Sequence, residues 1–444
     1  MLKRWVYLRK HMSKETIYAL SSAQGKSAIA IIRLSGPLSF NTVKAISSNM
    51  PKKQNSQCLN NILDDDNSII DQTLTTFFKA PKSYTGEDMV EITAHGGGAV
   101  IKKILNRLSN FKQVRIASPG EFTRRAYENG KLDLTQVEAI ADIVNAETEI
   151  QRKQAISHLS GSFFQSSKKI FENLKSSLAN IEAIIDFSDE DLPTNLINQI
   201  KEQIENSLNR IENMLNNSSS GVSIRNGFVI TILGKTNTGK SSFLNAVSGK
   251  DIAIVTNQPG TTRDLIESFV DIDGYPLRFI DTAGIRESKD IVEEIGVKKA
   301  LSLSKESNIN LIFIDNKEDV DYFKDITNPI FVRSKQDINE SEFKDKFFYN
   351  ISSKSHFGIN KLLDIIKEKV SADIHPESQY ISRERHINCL KMVEKHLKSS
   401  QKEKTIDLFA EDIRSAIKSL ESLFGNVDIE DILDIIFSDF CIGK

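Results

Sequence analysis

Residues 234–241 read Gly-Lys-Thr-Asn-Thr-Gly-Lys-Ser, which fits the phosphate-binding pattern G-x-x-x-x-G-K-[ST]. The apolar run Phe228 to Leu233 precedes it and SFLNAVSG, with helical character, follows. Glycines at 234 and 239 let successive backbone N–H groups turn toward an anion, and the helix N-terminus adds positive potential. Lys240 then serves as the cation for the terminal phosphates and Ser241 as a magnesium ligand. Asp281 opens DTAG (Asp281, Thr282, Ala283, Gly284) directly after the apolar LRFI, where its carboxylate can hold the magnesium shell and Gly284 can approach a γ-phosphate. Two later loops sit where a base-reading site belongs: SKQD (Ser334, Lys335, Gln336, Asp337) after the strand-like PIFV, and SSK (Ser352, Ser353, Lys354) after FYNI. A carboxylate at 337 accepts hydrogen bonds from the ring and exocyclic N–H groups of guanine, whereas adenine would leave it unpaired. GTP is therefore favoured over ATP. Ser334 departs from the usual Asn-Lys-x-Asp, and the lost amide donor is expected to weaken nucleotide binding by about 1 kcal/mol.

The type of GTPase turns on two more features. Ile285 stands where many GTPases carry the glutamine that orients the attacking water, and an apolar side chain cannot do that. The catalytic group must come from elsewhere, and Glu287, Asp290, Glu293 and Glu294 are the nearby acids, each equally readable as part of a solvated face. The loop IVTNQPGTTRD (Ile254 to Asp264) offers Thr261 and Thr262, either of which can complete the magnesium shell. The expected nucleotide contacts are Asn237, Thr238, Gly239, Lys240, Ser241 and Ser242, then Thr256, Asn257, Gln258, Pro259, Gly260, Thr261 and Thr262, then Asp281 to Gly284, and finally Ser334, Lys335, Asp337, Ser352, Ser353 and Lys354.

These loops need a scaffold, and 444 residues supply about three domains at roughly 150 residues each. Lys plus Arg is 58 against 60 Asp plus Glu, a net charge of −2, so contact with nucleic acid has to be local rather than a basic coat. Three cysteines, Cys58, Cys389 and Cys441, lack CxxC spacing and indicate neither a disulfide framework nor a zinc knot. A reducing, cytosolic setting is the default. No apolar run reaches the roughly 18 residues needed to span a bilayer. MLKRWVYLRKHM reads as an extension before a functional start at Met12, with a weak organelle presequence as the alternative.

Along the chain, residues 15–129 alternate short apolar runs (Ala28 to Leu34, Thr73 to Phe78, Met89 to Thr93) with turn residues and one helical stretch, Val100 to Leu108, the pattern of an α+β domain. From Leu134 the period becomes helical, with Ile197, Ile200, Ile204, Leu208, Ile211 and Leu215 on one face. Ser-rich Asn216 to Gly221 reads as a linker, residues 222–373 as an α/β domain, and 374–444 as a return to helices. The expectation is an extension over 1–14, an α+β domain over 15–129, and a helical domain (130–221 and 374–444) into which the P-loop domain is inserted. His95 lacks a partner at ligand spacing and is expected to be structural. The acidic run Asp186 to Asp191 reads as a solvated helix end.

GKTNTGKSS, AIVTNQPGTTRD and DTAGIRE, in that order, resemble the TrmE-Era-EngA group of translation-related GTPases. The N-terminal YTGEDMVEITAHGG and PGEFTRRAYENGKLDL, the split helical domain and the terminal FCIGK are similar to the MnmE (TrmE) family of tRNA modification GTPases, over almost everything from Glu15 to Lys444. That resemblance implies GTP hydrolysis activated by potassium and by dimerisation of two G domains across the nucleotides. Potassium would be held by Asn237, Thr256, Gln258 and Thr261, and magnesium by Ser241 and Thr262. Glu293 would orient the attacking water, with Arg286 positioning its switch.

The resemblance further implies an N-terminal domain like folate-dependent one-carbon enzymes, which builds a homodimer and binds a tetrahydrofolate derivative (5,10-methylene or 5-formyl) through Arg33, Glu91, Lys131 and Lys444. Cys441 would serve the modification itself. The implied reaction places an aminomethyl-type group on C5 of the wobble uridine of certain tRNAs, in a cytoplasmic heterotetramer with the FAD-dependent MnmG (GidA). A ribosome-assembly GTPase is the competing reading, which a basic RNA-binding domain beside the G domain would favour, and none is visible. A copy with impaired turnover is a third, suggested only by Ser334.

Overall fold

A computed structural model describes residues 15–186, 195–249, 266–281, 302–337, 348–372, 374, 381–403, 405–425, 433–434, 436–437, 440 and 443. The chain divides into two compact units, one comprising residues 1–141 with 421–444 and the other residues 142–420.

The first unit is built on a six-stranded sheet of β1 (Thr16–Leu20), β2 (Ile29–Ser35), β3 (Ser56–Leu63), β4 (Ile69–Phe78), β5 (Met89–His95) and β6 (Val114–Ile116), ordered β3-β4-β5-β2-β1-β6. All neighbours are antiparallel except β1 and β6. Alternation decides which face is inside: Ala30, Ile32 and Leu34 on β2 are buried, as are Val90 and Ile92 on β5. Helices α1 (Ser39–Ala45), α2 (Gly98–Ser109) and α3 (Glu121–Glu128) accompany the sheet, with Ile104 and Leu108 of α2 in its core. Only α2 matches the single helix expected here. Helix α3 escapes apolar periodicity because its buried side includes Thr123 and Arg125 beside Phe122 and Ala126. It starts at Gly120, whose φ of 68° and close contact with Phe437 leave no room for a β-carbon.

Arg125 is 3% exposed and donates to Glu87, 7% exposed, at 3.0 Å, and to Glu121 at 3.0 Å. Glu87 also accepts from the Ser35 hydroxyl at 2.7 Å. Glu121 is pushed up by burial, yet bonds from Arg115, the Ser118 N–H and Arg125 bring its pKa below the usual carboxylate value. This ionic network ties α3 to the sheet, because removing one partner strands the other charge out of water.

Helix α4 (Leu134–Val144) leads into the second unit, whose helices include α5 (Glu149–Leu159), α6 (Ser162–Asp186), α7 (Leu196–Asn216) and α8 (Ser218–Asn226). The inward face of α7 is Ile200, Ile204, Leu208, Ile211 and Met214, while the expected Ile197 is exposed and Leu215 only half-buried. Of residues 216–221, read from sequence as a linker, 218–221 instead form the first turn of helix α8. Serine has modest helix propensity, but Ser220, Gly221 and Ile224 are buried, and the Gln154 side chain donates to the Gly221 carbonyl at 3.1 Å, so packing decides.

The second sheet contains β7 (Phe228–Gly234), β8 (Ile266–Ile272), β9 (Tyr275–Asp281), β10 (Ile309–Phe313), β11 (Pro329–Arg333) and β12 (Phe348–Asn350), ordered β12-β11-β10-β7-β9-β8. Only β8 runs antiparallel to its neighbour. Every residue of β10 is buried, as expected for a parallel strand covered on both faces. Helices α9 (Lys240–Ser248) and α10 (Ile359–Ala372) supply Phe243, Leu362 and Ile366 to this core, and α11 (Glu384–Ser400) and α12 (Ile406–Leu423) complete the helical part. Asp142 accepts from Arg225 at 2.8 Å and Arg383 at 2.7 Å, and the Gln151 side chain donates to the Arg225 carbonyl at 3.0 Å. The helices are thereby anchored just before β7 leads into the phosphate loop.

Glu87→Ala is expected to destabilise the first unit by about 3–5 kcal/mol, because it leaves the Arg125 guanidinium buried with one carboxylate fewer. Urea unfolding followed by circular dichroism reads this, and a loss below about 1 kcal/mol would show that the network contributes little.

Candidate functional site

The phosphate loop connects β7 to α9. At Gly234, φ is 138° and the backbone lies against Phe313, so a β-carbon would collide with the strand β10 backbone. Asn237 adopts φ 62°, and Gly239, the residue before α9, has φ 95° and packs on Ser334. Positive φ at these positions turns the backbone into a concave ring of N–H donors at the helix start.

Lys240 is 5% exposed. Its ammonium donates to the carbonyls of Gly234 at 2.7 Å and Lys235 at 2.5 Å, which holds the charge at the mouth of the loop. Burial pulls its pKa below the usual lysine value, opposed by the carboxylates of Asp281 and Asp315. The Ser241 hydroxyl donates to Asp281 Oδ2 at 3.2 Å. Two hard oxygen side chains converging beside the phosphate loop are a donor set suited to magnesium.

The base-reading loops pack against this cradle. Ser334 is buried and its hydroxyl donates to the Thr238 carbonyl, while Lys335 donates to the Asn237 carbonyl at 2.6 Å. The Ser352 hydroxyl donates to Asp337 Oδ1 at 2.7 Å, and that bond, with the backbone N–H of Asp337 and the Lys354 charge, holds the Asp337 carboxyl below its usual range. Each carboxylate oxygen has two lone pairs, so Asp337 stays able to accept from a base edge. The Gln336 N–H donates to the Ile351 carbonyl at 3.1 Å, which fixes one loop against the other.

The structure thus gathers Asn237, Thr238, Gly239, Lys240, Ser241, Ser242, Asp281, Ser334, Lys335, Asp337, Ser352, Ser353 and Lys354 around the carboxyl ends of β7, β9, β11 and β12. Thr256, Asn257, Gln258, Pro259, Gly260, Thr261, Thr262, Thr282, Ala283, Gly284, Arg286, Glu293, Cys441 and Lys444 lie outside the described residues. Asp319 was missed: it binds the Lys235 ammonium at 2.5 Å, and nothing in sequence spacing points to a residue so far from the loop.

In the first unit, Arg33 and Glu91 face each other across β2 and β5 and form an ion pair at 2.8 Å. The guanidinium lies 5.3 Å from the Tyr84 ring centre and 5.7 Å from that of Phe122. Burial raises the Tyr84 hydroxyl pKa, opposed by its bond with Thr123 and by the Arg33 charge. Lys131 donates to the Pro81 carbonyl at 3.0 Å. Tyr84 and Phe122 were not singled out from sequence, although both sit within the motifs that carry the resemblance. A partly exposed cation framed by rings and a carboxylate suits a planar heterocycle with an anionic tail. His95 contacts Asp71 at 2.8 Å through Nδ1.

Ser334→Ala is expected to lower GTP affinity about 5- to 10-fold, since it orphans the Thr238 carbonyl and loosens the base-reading loop. Titration calorimetry with GTP checks this. Unchanged affinity would show that the tether does not matter to binding.

Two family profiles match the chain: "MnmE helical domain" over residues 134–441 and "GTP-binding protein TrmE N-terminus" over residues 16–131. The tRNA modification GTPase MnmE of Rickettsia prowazekii is 38% identical over 445 residues, covering 97% of this chain and all of the relative. That of Wolbachia sp. subsp. Brugia malayi is 39% identical over 440 residues, covering 97% of this chain and 99% of the relative. Among solved structures, a point variant of Aquifex aeolicus Era bound to GDP and aluminium fluoride aligns at 22% identity over 40% of this chain and 69% of that one, with a TM-score of 0.27, a likeness too slight to bear on the fold.

Proposed function

The chain belongs to the MnmE family of tRNA modification GTPases, and we propose that it is a potassium-activated GTPase that works with the FAD-dependent MnmG (GidA) to place an aminomethyl-type group on C5 of the wobble uridine of certain tRNAs, with a tetrahydrofolate derivative supplying the one-carbon unit. As a member of the family it is a GTP hydrolase acting in tRNA modification. The observation that carries the nucleotide chemistry is the convergence of buried Lys240, the Ser241–Asp281 oxygen pair and Asp337 on one sheet end.

In the bound state the Lys240 ammonium exchanges its carbonyl partners for phosphate oxygens, and the N–H groups at the start of α9 hold the same anion. Ser241 and Asp281 provide oxygens for magnesium, joined by Thr262. Asp337 reads guanine. Glu293 orients the attacking water and Arg286 positions its segment. Asn237, Thr256, Gln258 and Thr261 would hold potassium, which would supply positive charge to the phosphates; the positive φ of Asn237 at the phosphate loop is compatible with that role.

For the folate derivative, the Arg33–Glu91 pair with Tyr84 and Phe122 is the supporting observation. Arg33 suits an anionic tail or a ring face, Glu91 an amine-rich edge, and Lys131 and Lys444 add cations. Cys441 belongs to the modification step. A homodimer through the first unit is supported by Leu59 and Leu74, paired across β3 and β4 and 60% and 41% exposed. The assembly is read as a cytoplasmic heterotetramer with MnmG, and no described helix is long and apolar enough to cross a membrane. The functional domains are proposed to fall at 15–129, 130–221 with 374–444, and 222–373, after an N-terminal extension.

GTP hydrolysis by the purified chain is expected to run at least about tenfold faster in potassium than in sodium buffer, with Asn237→Ala removing the difference and Glu293→Ala abolishing turnover while GTP still binds. Equal rates in both salts, or full activity in Glu293→Ala, would overturn the catalytic assignment.

A further inference from the structure

Helices α6 and α7 frame an open cleft of about 330 Å³. Its floor is the buried pair Ile170 and Met214, and its walls carry Lys169, Arg210, Ser166 and Asn213. Of the carboxylates on these helices, Glu172 pairs with Lys168 at 3.8 Å, Glu182 with Arg414 at 3.2 Å and Glu212 with Lys398 at 2.7 Å. Lys169 and Arg210 are both exposed, and neither makes an ion pair with a described residue. Two cations on separate helices line one groove, and with Glu212, the acid two residues from Arg210, engaged by Lys398, they form a local positive site on a chain of net charge −2.

We propose that this cleft holds a stretch of RNA backbone and is part of the surface on which the chain carries its tRNA. Arg210 offers a planar fork that matches a phosphate, and Lys169 a point charge for the neighbouring one. The apolar floor of Ile170 and Met214 fits ribose carbons between them, while Ser166 and Asn213 supply hydrogen-bonding groups. Contacts of this kind position an RNA without reading its sequence, which is what an enzyme acting on several tRNAs needs from a surface remote from the modified base. This inference rests on tRNA being the substrate.

The test is fluorescence anisotropy of the full-length chain with an unmodified tRNA transcript across a salt series, comparing wild type, Lys169→Gln/Arg210→Gln and the charge-conserving Lys169→Arg/Arg210→Lys. The neutral pair is expected to weaken binding about tenfold and to lower the slope of log affinity against log salt by about 1.5, as loss of two phosphate contacts requires. GTP hydrolysis without tRNA should stay at the wild-type rate, and the charge-conserving pair should bind tRNA as wild type does. Wild-type affinity and slope in the neutral pair would overturn the proposal. So would equal losses in the two double variants, absence of tRNA binding by the wild type, or a neutral pair that binds tRNA normally but no longer associates with the partner flavoprotein, which would assign the cleft to a protein. Failure of the tRNA reading itself is read separately, by whether wild-type chain with its partner modifies the wobble uridine at all.

Discussion

The nucleotide site depends on one physical constraint: the backbone between β7 and α9 must close tightly enough to bring a buried ammonium and a ring of N–H donors to the same point. Lys240 meets the cost of burial by donating to the carbonyls of Gly234 and Lys235, and Asp281 opposes the fall in its pKa. Gly234 and Gly239 hold backbone angles and contacts that a β-carbon would disrupt, one against Phe313 and the other against Ser334. The central place of β7 in the sheet makes this possible, because parallel β9 on one side carries Asp281 and parallel β11 and β12, beyond β10 on the other, carry the base-reading loops to the same edge.

Ser334 shows how a departure from a motif can be absorbed. From sequence it registers only as a lost amide donor. In the fold its hydroxyl is buried against the phosphate loop and donates to the Thr238 carbonyl, so the link between base reading and phosphate binding is kept by a shorter side chain. Lys335 repeats the link through the Asn237 carbonyl. The loops that meet the base are therefore positioned by the loop that meets the phosphates.

What sequence could show follows from how local each signal is. Lys240, Ser241, Asp281 and Asp337 stand at fixed offsets from glycines and strand ends, and the structure brings them together. The Arg125–Glu87 pair, Asp319 beside Lys235, and the rings of Tyr84 and Phe122 around Arg33 join residues far apart in the chain, so no spacing announces them. Helix α8 was hidden for the opposite reason: its serines speak against a helix locally, and burial of Ser220, Gly221 and Ile224 overrides them. The residue-level folate and potassium assignments were legible only through family resemblance, since an isolated Arg, Glu or Asn has many ordinary uses.

That two converging loops and one carboxylate make a guanine-selective triphosphate site is tested most directly by calorimetric titration of the wild type and Asp337→Asn with GTP and with xanthosine triphosphate, whose base carries a carbonyl where guanine carries its amine. Wild type is expected to bind GTP and reject the xanthine nucleotide, and Asp337→Asn to reverse that order, because an amide can donate to the new carbonyl where a carboxylate cannot. An unchanged preference for GTP in Asp337→Asn would contradict the assignment of Asp337 as the base-reading residue.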